Sequence, residues 1–205
     1  MADLQNPLGY EPVPEPVHLL TEGCVQFVHK ALGVALDYTQ ETLPVLDHYM
    51  TLVRERQKDE ILALLAPACG AYFGEMVRRV LGDGRWYCPP DDYASWRLEF
   101  DRCFLHFNPV GVALETVIVG DAEGWSGHFQ VLPEDRARVE DALERAGSVT
   151  EDDYYKFSVR FDVLQTIYDI MVAQAHSRGE LGRRFGPDVY RAAVEGKARP
   201  SRPPN

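Results

Sequence analysis

With 205 residues, 45% of them hydrophobic, the chain suits one domain and can bury a core without a metal or disulfide staple. Its 32 acidic against 21 basic side chains leave a net charge of −11, which argues against nucleic acid and anionic membrane surfaces as partners, since both need a basic face. Apolar runs such as Ile61–Ala71 fall short of the roughly 18–20 residues of a membrane span, and no basic, apolar leader opens the chain; a cytoplasmic protein without membrane insertion is expected.

Residues 1–17 carry Pro7, Pro12, Pro14 and Pro16 without periodicity and read as an extended arm. A single domain is expected over 18–195, followed by a proline-rich disordered tail over 196–205. Thr21 is placed to cap a first helix that ends at Gly33, with Leu20, Cys24, Phe27, Val28, Ala31 and Leu32 inward. Thr39 is a second candidate cap, for a helix to about Arg56 that accepts Pro44 near its first turn. Asp59 would cap a third, with Ile61, Leu62, Leu65, Cys69, Tyr72, Phe73, Met76, Val77, Val80 and Leu81 at helical spacing and a kink expected at Pro67. Ala66, Gly70 and Gly74 lie four apart on it, a stripe where another backbone, that of the first or second helix, could approach closely.

Arg85–Cys88 and Trp96–Phe100 read as strands, the second alternating Trp96, Leu98 and Phe100 against Arg97 and Glu99. The alternation resumes out of phase at Cys103, Leu105 and Phe107, so a turn or bulge falls near Asp101–Arg102. Asn108-Pro109 opens an apolar segment to Val119 that fits either helix or strand, and Trp125–Leu132 is a further strand candidate. Pro133 starts a charged helix to about Ala146, and Thr150 followed by three acids starts a last helix to about Ser177. The fold class is α+β: N-terminal helices, a small antiparallel sheet in the middle, then C-terminal helices.

No phosphate loop, dinucleotide fingerprint or zinc-protease string is present. Gly124-Trp-Ser126-Gly127-His128 misses the hydrolase elbow at its fifth residue and reads as a polar turn. Cys24, Cys69, Cys88 and Cys103 form no close pair in sequence, and the six histidines are scattered, so neither metal nor cofactor is expected. Three carboxylates sit in apolar segments, where an unpaired charge is costly: Asp37, Glu75 and Glu115. They could serve as general acid and base; the structural alternative is a cap at Asp37, a pairing of Glu75 with Arg78 or Arg79, and a solvent-facing Glu115.

LDYTQETLPVLDHYM and, after a spacer, ACGAYFGEMVRRVLGDGRW resemble a pattern of uncharacterised bacterial domains that reads roughly LDYSxESLxxLDxxL, then GAYLGEVLxxxxGxxW. The likeness covers Leu36–Leu46 and Gly70–Trp86, with Thr39 and Thr42 at the serine positions. It implies a small α+β domain, often encoded near bacterial secretion, toxin or regulatory genes, and brings no activity. Asp37, Glu75, Trp86 and Glu115 are therefore candidates for either a fold signature or a site.

Residues 1–176 have a net charge of −15, whereas 177–205 carry +4. Arg178, Arg183, Arg184 and Arg191 surround Phe185 and Tyr190, which marks this end as a candidate docking segment or as a strap over its own acidic body. Together these features favour a non-enzymatic domain that binds another protein, as an immunity or inhibitor-type partner or accessory regulator. The alternative is a hydrolase using Asp37, Glu75 and Glu115.

Overall fold

The computed structural model describes residues 12–56, 59–180 and 182–196. Over them the α+β order stands as expected, with helices at both ends and a four-stranded antiparallel sheet between. Helix α1 (Glu15–Leu32) opens earlier than Thr21, so the end of the expected arm is helical. Pro14 takes the N-cap and Pro16 the first turn, where a missing N–H costs no hydrogen bond. Thr21 lies buried inside the helix instead, its hydroxyl donating to the His18 carbonyl. Gly33, at φ 71°, closes the helix in the left-handed conformation that glycine allows. Phe27, expected inward, faces outward with Leu19.

A 3-10 turn over Gln40–Thr42 leads into α2 (Leu43–Arg56), which buries Leu43, Leu46, Tyr49, Met50 and Val53 as its spacing requires. Helix α3 (Asp59–Leu81) contains Pro67 and is the central element, packed between α1 and α4 (Pro109–Ile118). The side chains of Asp59, Ile61 and Leu62 fall outside the described residues. Val80, expected on the apolar face, is exposed instead. The small-residue stripe on α3 does receive a backbone, but it is that of α4 rather than of the first or second helix. A Cβ on Gly70 would stand 2.6 Å from the Pro109 carbonyl oxygen, and one on Gly74 would collide with the Trp86 ring. The ambiguous segment after Asn108 is helical because the Asn108 side chain accepts from the N–H groups of Val110 and Gly111.

The sheet runs β1 (Gly84–Tyr87), β2 (Arg97–Phe100), β3 (Leu105–Phe107), β4 (Gln130–Val131) in that order. The strand candidate over Trp125–Leu132 thus shrinks to two residues. Trp86, Leu98 and Phe107 lie opposite one another on the face turned to the helices. Arg85, Glu99, His106 and Gln130 form the matching row on the other face. That second face is not left to water: α8 (Pro187–Val194) covers it through Tyr190. Glu99, read from the alternation as outward, is consequently buried between Arg85 and Arg97.

Helix α5 (Pro133–Ala146) matches its expected bounds. The single helix expected after Thr150 is broken into α6 (Glu151–Tyr154) and α7 (Phe157–Ser177). The break has a long-range cause. Asp47, on α2, accepts from the backbone N–H groups of Phe157 and Ser158 and from the Ser158 hydroxyl, capping α7 from another helix.

Candidate functional site

The two halves of the sequence pattern meet in one network. The Asp37 carboxylate accepts from the Thr39 N–H and from the hydroxyls of Thr39 and Thr42, which holds its pKa below the ordinary value. The adjacent Tyr38 ring lies on Tyr72, and the Arg79 guanidinium sits 3.7 Å from its centre. Arg79 in turn donates to Glu75, which also accepts two hydrogen bonds from Arg78 and one from the Trp86 indole. Burial alone would raise the Glu75 carboxyl, but the arginine hydrogen bonds outweigh it and hold the group low. Such a carboxylate is fixed and charged, suited to joining α3 with β1 rather than to exchanging protons at neutral pH.

Glu115 belongs to a different network. It does not face solvent: it is buried against Arg160, a fully buried arginine of α7 that also donates to the Gly127 carbonyl at 3.0 Å. The guanidinium carbon lies 4.4 Å from the Tyr154 ring and 5.3 Å from that of Phe129, and Nε and Nη1 have no hydrogen-bond partner. Burial pushes the Glu115 carboxyl up, against the pull of Arg160. Nearby, the exposed Asp121 accepts from the Tyr155 hydroxyl and lies 3.5 Å from His128 Nε2.

Among the described residues, Glu115, Asp121 and His128 are the group whose ligand atoms all lie within 4.8 Å of one another. They are the side chains that could hold a cation, although Arg160 already neutralises Glu115. Of the three carboxylates singled out in the sequence, Asp37 and Glu75 belong to one network and Glu115 to another. Ser126 lies in the loop ahead of β4 with a left-handed backbone, at φ 49°. The cysteines are free; Cys24 and Cys69 face each other at 3.9 Å inside the core, and burial raises the Cys88 thiol to about 12. The contact with the Cys69 sulfur, and then burial, likewise push Cys24 up, so neither is a ready nucleophile.

The basic end folds onto its own domain. Tyr190 is fully buried, its hydroxyl within 2.6–3.1 Å of the carbonyls of Phe100, Cys103 and Leu105. Phe104 stacks on Tyr190 at 4.7 Å and meets Phe185 edge-on. Both aromatic anchors are thus internal, not offered to a partner. Arg184 pairs with Asp101, Arg191 with Asp188 and Arg183 with Glu180. Arg178 alone of these arginines enters no ion pair among the described residues.

One surface feature escaped the sequence reading. Between α5, the 147–150 loop, α6 and the outer side of α7 runs an open groove of about 670 Å³. Leu143, Val149, Val159 and Val163 supply its apolar lining, with Asp162 and Asp153, the latter paired with Lys156, among its carboxylates. Between residues 140 and 169 eight carboxylates stand against three basic side chains, one of which is the buried Arg160. The signal was the acid run in sequence, but only the break between α6 and α7 turns it beside an apolar trough. Compared with protein-family models, with curated proteins and with solved structures, the chain matches none. No described helix is long and apolar enough to cross a membrane.

Proposed function

We propose that this chain is a non-enzymatic protein-binding domain, of an immunity or inhibitor type or an accessory regulator, that takes up a basic amphipathic segment of a partner protein in the groove between α5 and α7. The observation that carries this reading is the apolar trough with a carboxylate rim. An amphipathic helix lays its apolar side into such a trough, while the rim attracts lysine and arginine on its flanks. The body's charge of −15 over residues 1–176 would add long-range steering of a basic partner. Val149, 46% exposed within the groove, supports it further, because an open valine beside charged neighbours gains from being covered. Against a hydrolase on Asp37, Glu75 and Glu115 stands the pairing of both glutamates with arginine and of Asp37 with two threonines, which are structural partners.

The test uses a fluorescent synthetic helix of leucine and lysine at amphipathic spacing, with a leucine–glutamate helix as its control. The basic helix should bind saturably, weaken as salt is added, and lose at least about tenfold in affinity in Val149→Asp and in Asp162→Lys. Equal binding of the acidic helix, or binding unchanged by both substitutions, would overturn the reading.

A further inference from the structure

A second cavity, of about 260 Å³, lies at the other end of α5. It is enclosed by the first turn of α5, the last turns of α7, the connection between β2 and β3, and the segment that leads into α8. Two acceptors in its wall lack a cation. Asp135 is 5% exposed, and its carboxylate accepts from Gln174 Nε2 at 3.1 Å while entering no ion pair among the described residues. Gln174 is 6% exposed, and its Oε1 has no hydrogen-bond partner. Asp135 lies in the first turn of α5, where the helix dipole favours its charge, but a dipole supplies no donor to the amide oxygen. Buried acceptors left in this state are costly unless a donor completes them, and an ammonium group provides three N–H donors and the missing charge together.

The rest of the wall defines what such an ammonium is attached to. Phe104, Phe185 and Met171 give an apolar surface. Of the arginines in the wall, Arg102 pairs with Asp83 and Arg183 with Glu180, whereas the exposed Arg178 enters no ion pair among the described residues and stands as a cation for an anionic end. The volume lies below the ~300–1,000 Å³ of pockets that take drug-sized ligands, so the occupant is of amino-acid size. From this juxtaposition we infer that the cavity between α5 and α7 binds a small zwitterion with an apolar side chain, an apolar α-amino acid. Its ammonium sits on Asp135 and Gln174, and its carboxylate on Arg178. The site is separate from the groove proposed for a protein partner. Glu180, Arg183 and Phe185 stand in one wall of it, which gives the internal docking of the basic end a role in ligand binding.

Calorimetry on the full chain with three probes tests this: L-leucine, isoamylamine, which lacks the carboxylate, and 4-methylpentanoate, which lacks the ammonium. Leucine should bind best, the amine more weakly, and the acid not measurably up to about 10 mM. Asp135→Asn should weaken leucine at least tenfold; should that variant fold poorly, Gln174→Met serves the same purpose, because it removes the second acceptor. Arg178→Gln, an exposed change, should bring leucine down to the affinity of the amine. Absence of saturable leucine binding, or 4-methylpentanoate binding as well as leucine, would overturn the inference. So would a loss of thermal stability in Arg178→Gln without any ligand effect, which would make Arg178 itself the cation that Asp135 uses.

Discussion

Glu75 and Glu115 are both 1% exposed and both answer to arginine, yet they are held in opposite ways. Glu75 takes its donors from Arg78 and Arg79, one helical turn along α3, and from Trp86 on the next strand. Glu115 takes its donor from Arg160, 45 residues away, on α7. The first is a local pairing that i+3 and i+4 spacing makes visible. The second is a tertiary pairing between two apolar elements, visible only when α4 and α7 are brought together. Their energetics differ as well. Arg79 is 48% exposed, so water reaches the rim of the Glu75 cluster, whereas Arg160 is enclosed and leaves two of its nitrogens facing aromatic rings.

The sharpest way to break this comparison is to neutralise each carboxylate and compare melting curves. Glu115→Gln strands a fully buried guanidinium and should cost about 3–5 kcal/mol, while Glu75→Gln should cost about 3 kcal/mol because Arg79 can turn to water. The double replacement of Glu115 by Leu and Arg160 by Met should recover most of the first loss, as apolar pairs of similar volume do. A larger effect at Glu75 than at Glu115 would invert the comparison.

His106 extends the same contrast to pH. It faces Tyr190 of α8 and Phe104, with Glu99 and Gln130 beside it on neighbouring strands. Burial, and then the charge of Arg97, lower its pKa from 6.5 to about 4. Between those values the unfolded chain binds a proton that the folded chain refuses, so stability present above pH 6.5 is lost as pH falls towards 4. Between pH 7 and pH 5 the loss should be about 2 kcal/mol and be absent in His106→Phe, as read from denaturant midpoints at those two values. A parent and variant that lose stability in parallel would contradict it.

The smallest effect concerns the backbone contact beneath Glu75. Gly70→Ala places a methyl against the α4 backbone and should cost about 1–3 kcal/mol in thermal unfolding. A neutral substitution would mean that α3 and α4 can separate there at no cost.

Legibility followed the same division between local and long-range causes. The order of elements, the bounds of α5 and the Gly33 stop were readable, because periodicity and end signals are local. The start of α1 was not, since Pro12, Pro14 and Pro16 read as an arm although Pro16 suits a first helical turn. The break between α6 and α7 comes from Asp47, over a hundred residues upstream, and nothing near Tyr155 announces it. Glu99 looked outward because no local signal shows that α8 covers the sheet. Arg160 had a signal that went unread: it lies three residues after Phe157 and four before Leu164, on the buried face. Of the candidate site, the pairing of Glu75 and the turn at Asp37 were visible, whereas the groove needed the placement of α5 beside α7.

The groove between α5 and α7 is proposed to receive a basic amphipathic segment. The most direct measurement is a titration of isotopically labelled protein with the leucine–lysine helix, followed by amide chemical shifts. Saturable shifts should concentrate on Leu143, Val149, Asp153, Val159, Asp162 and Val163, and fade with added salt. Shifts centred on the exposed Leu19 and Phe27 of α1, with the groove residues unmoved, would contradict it.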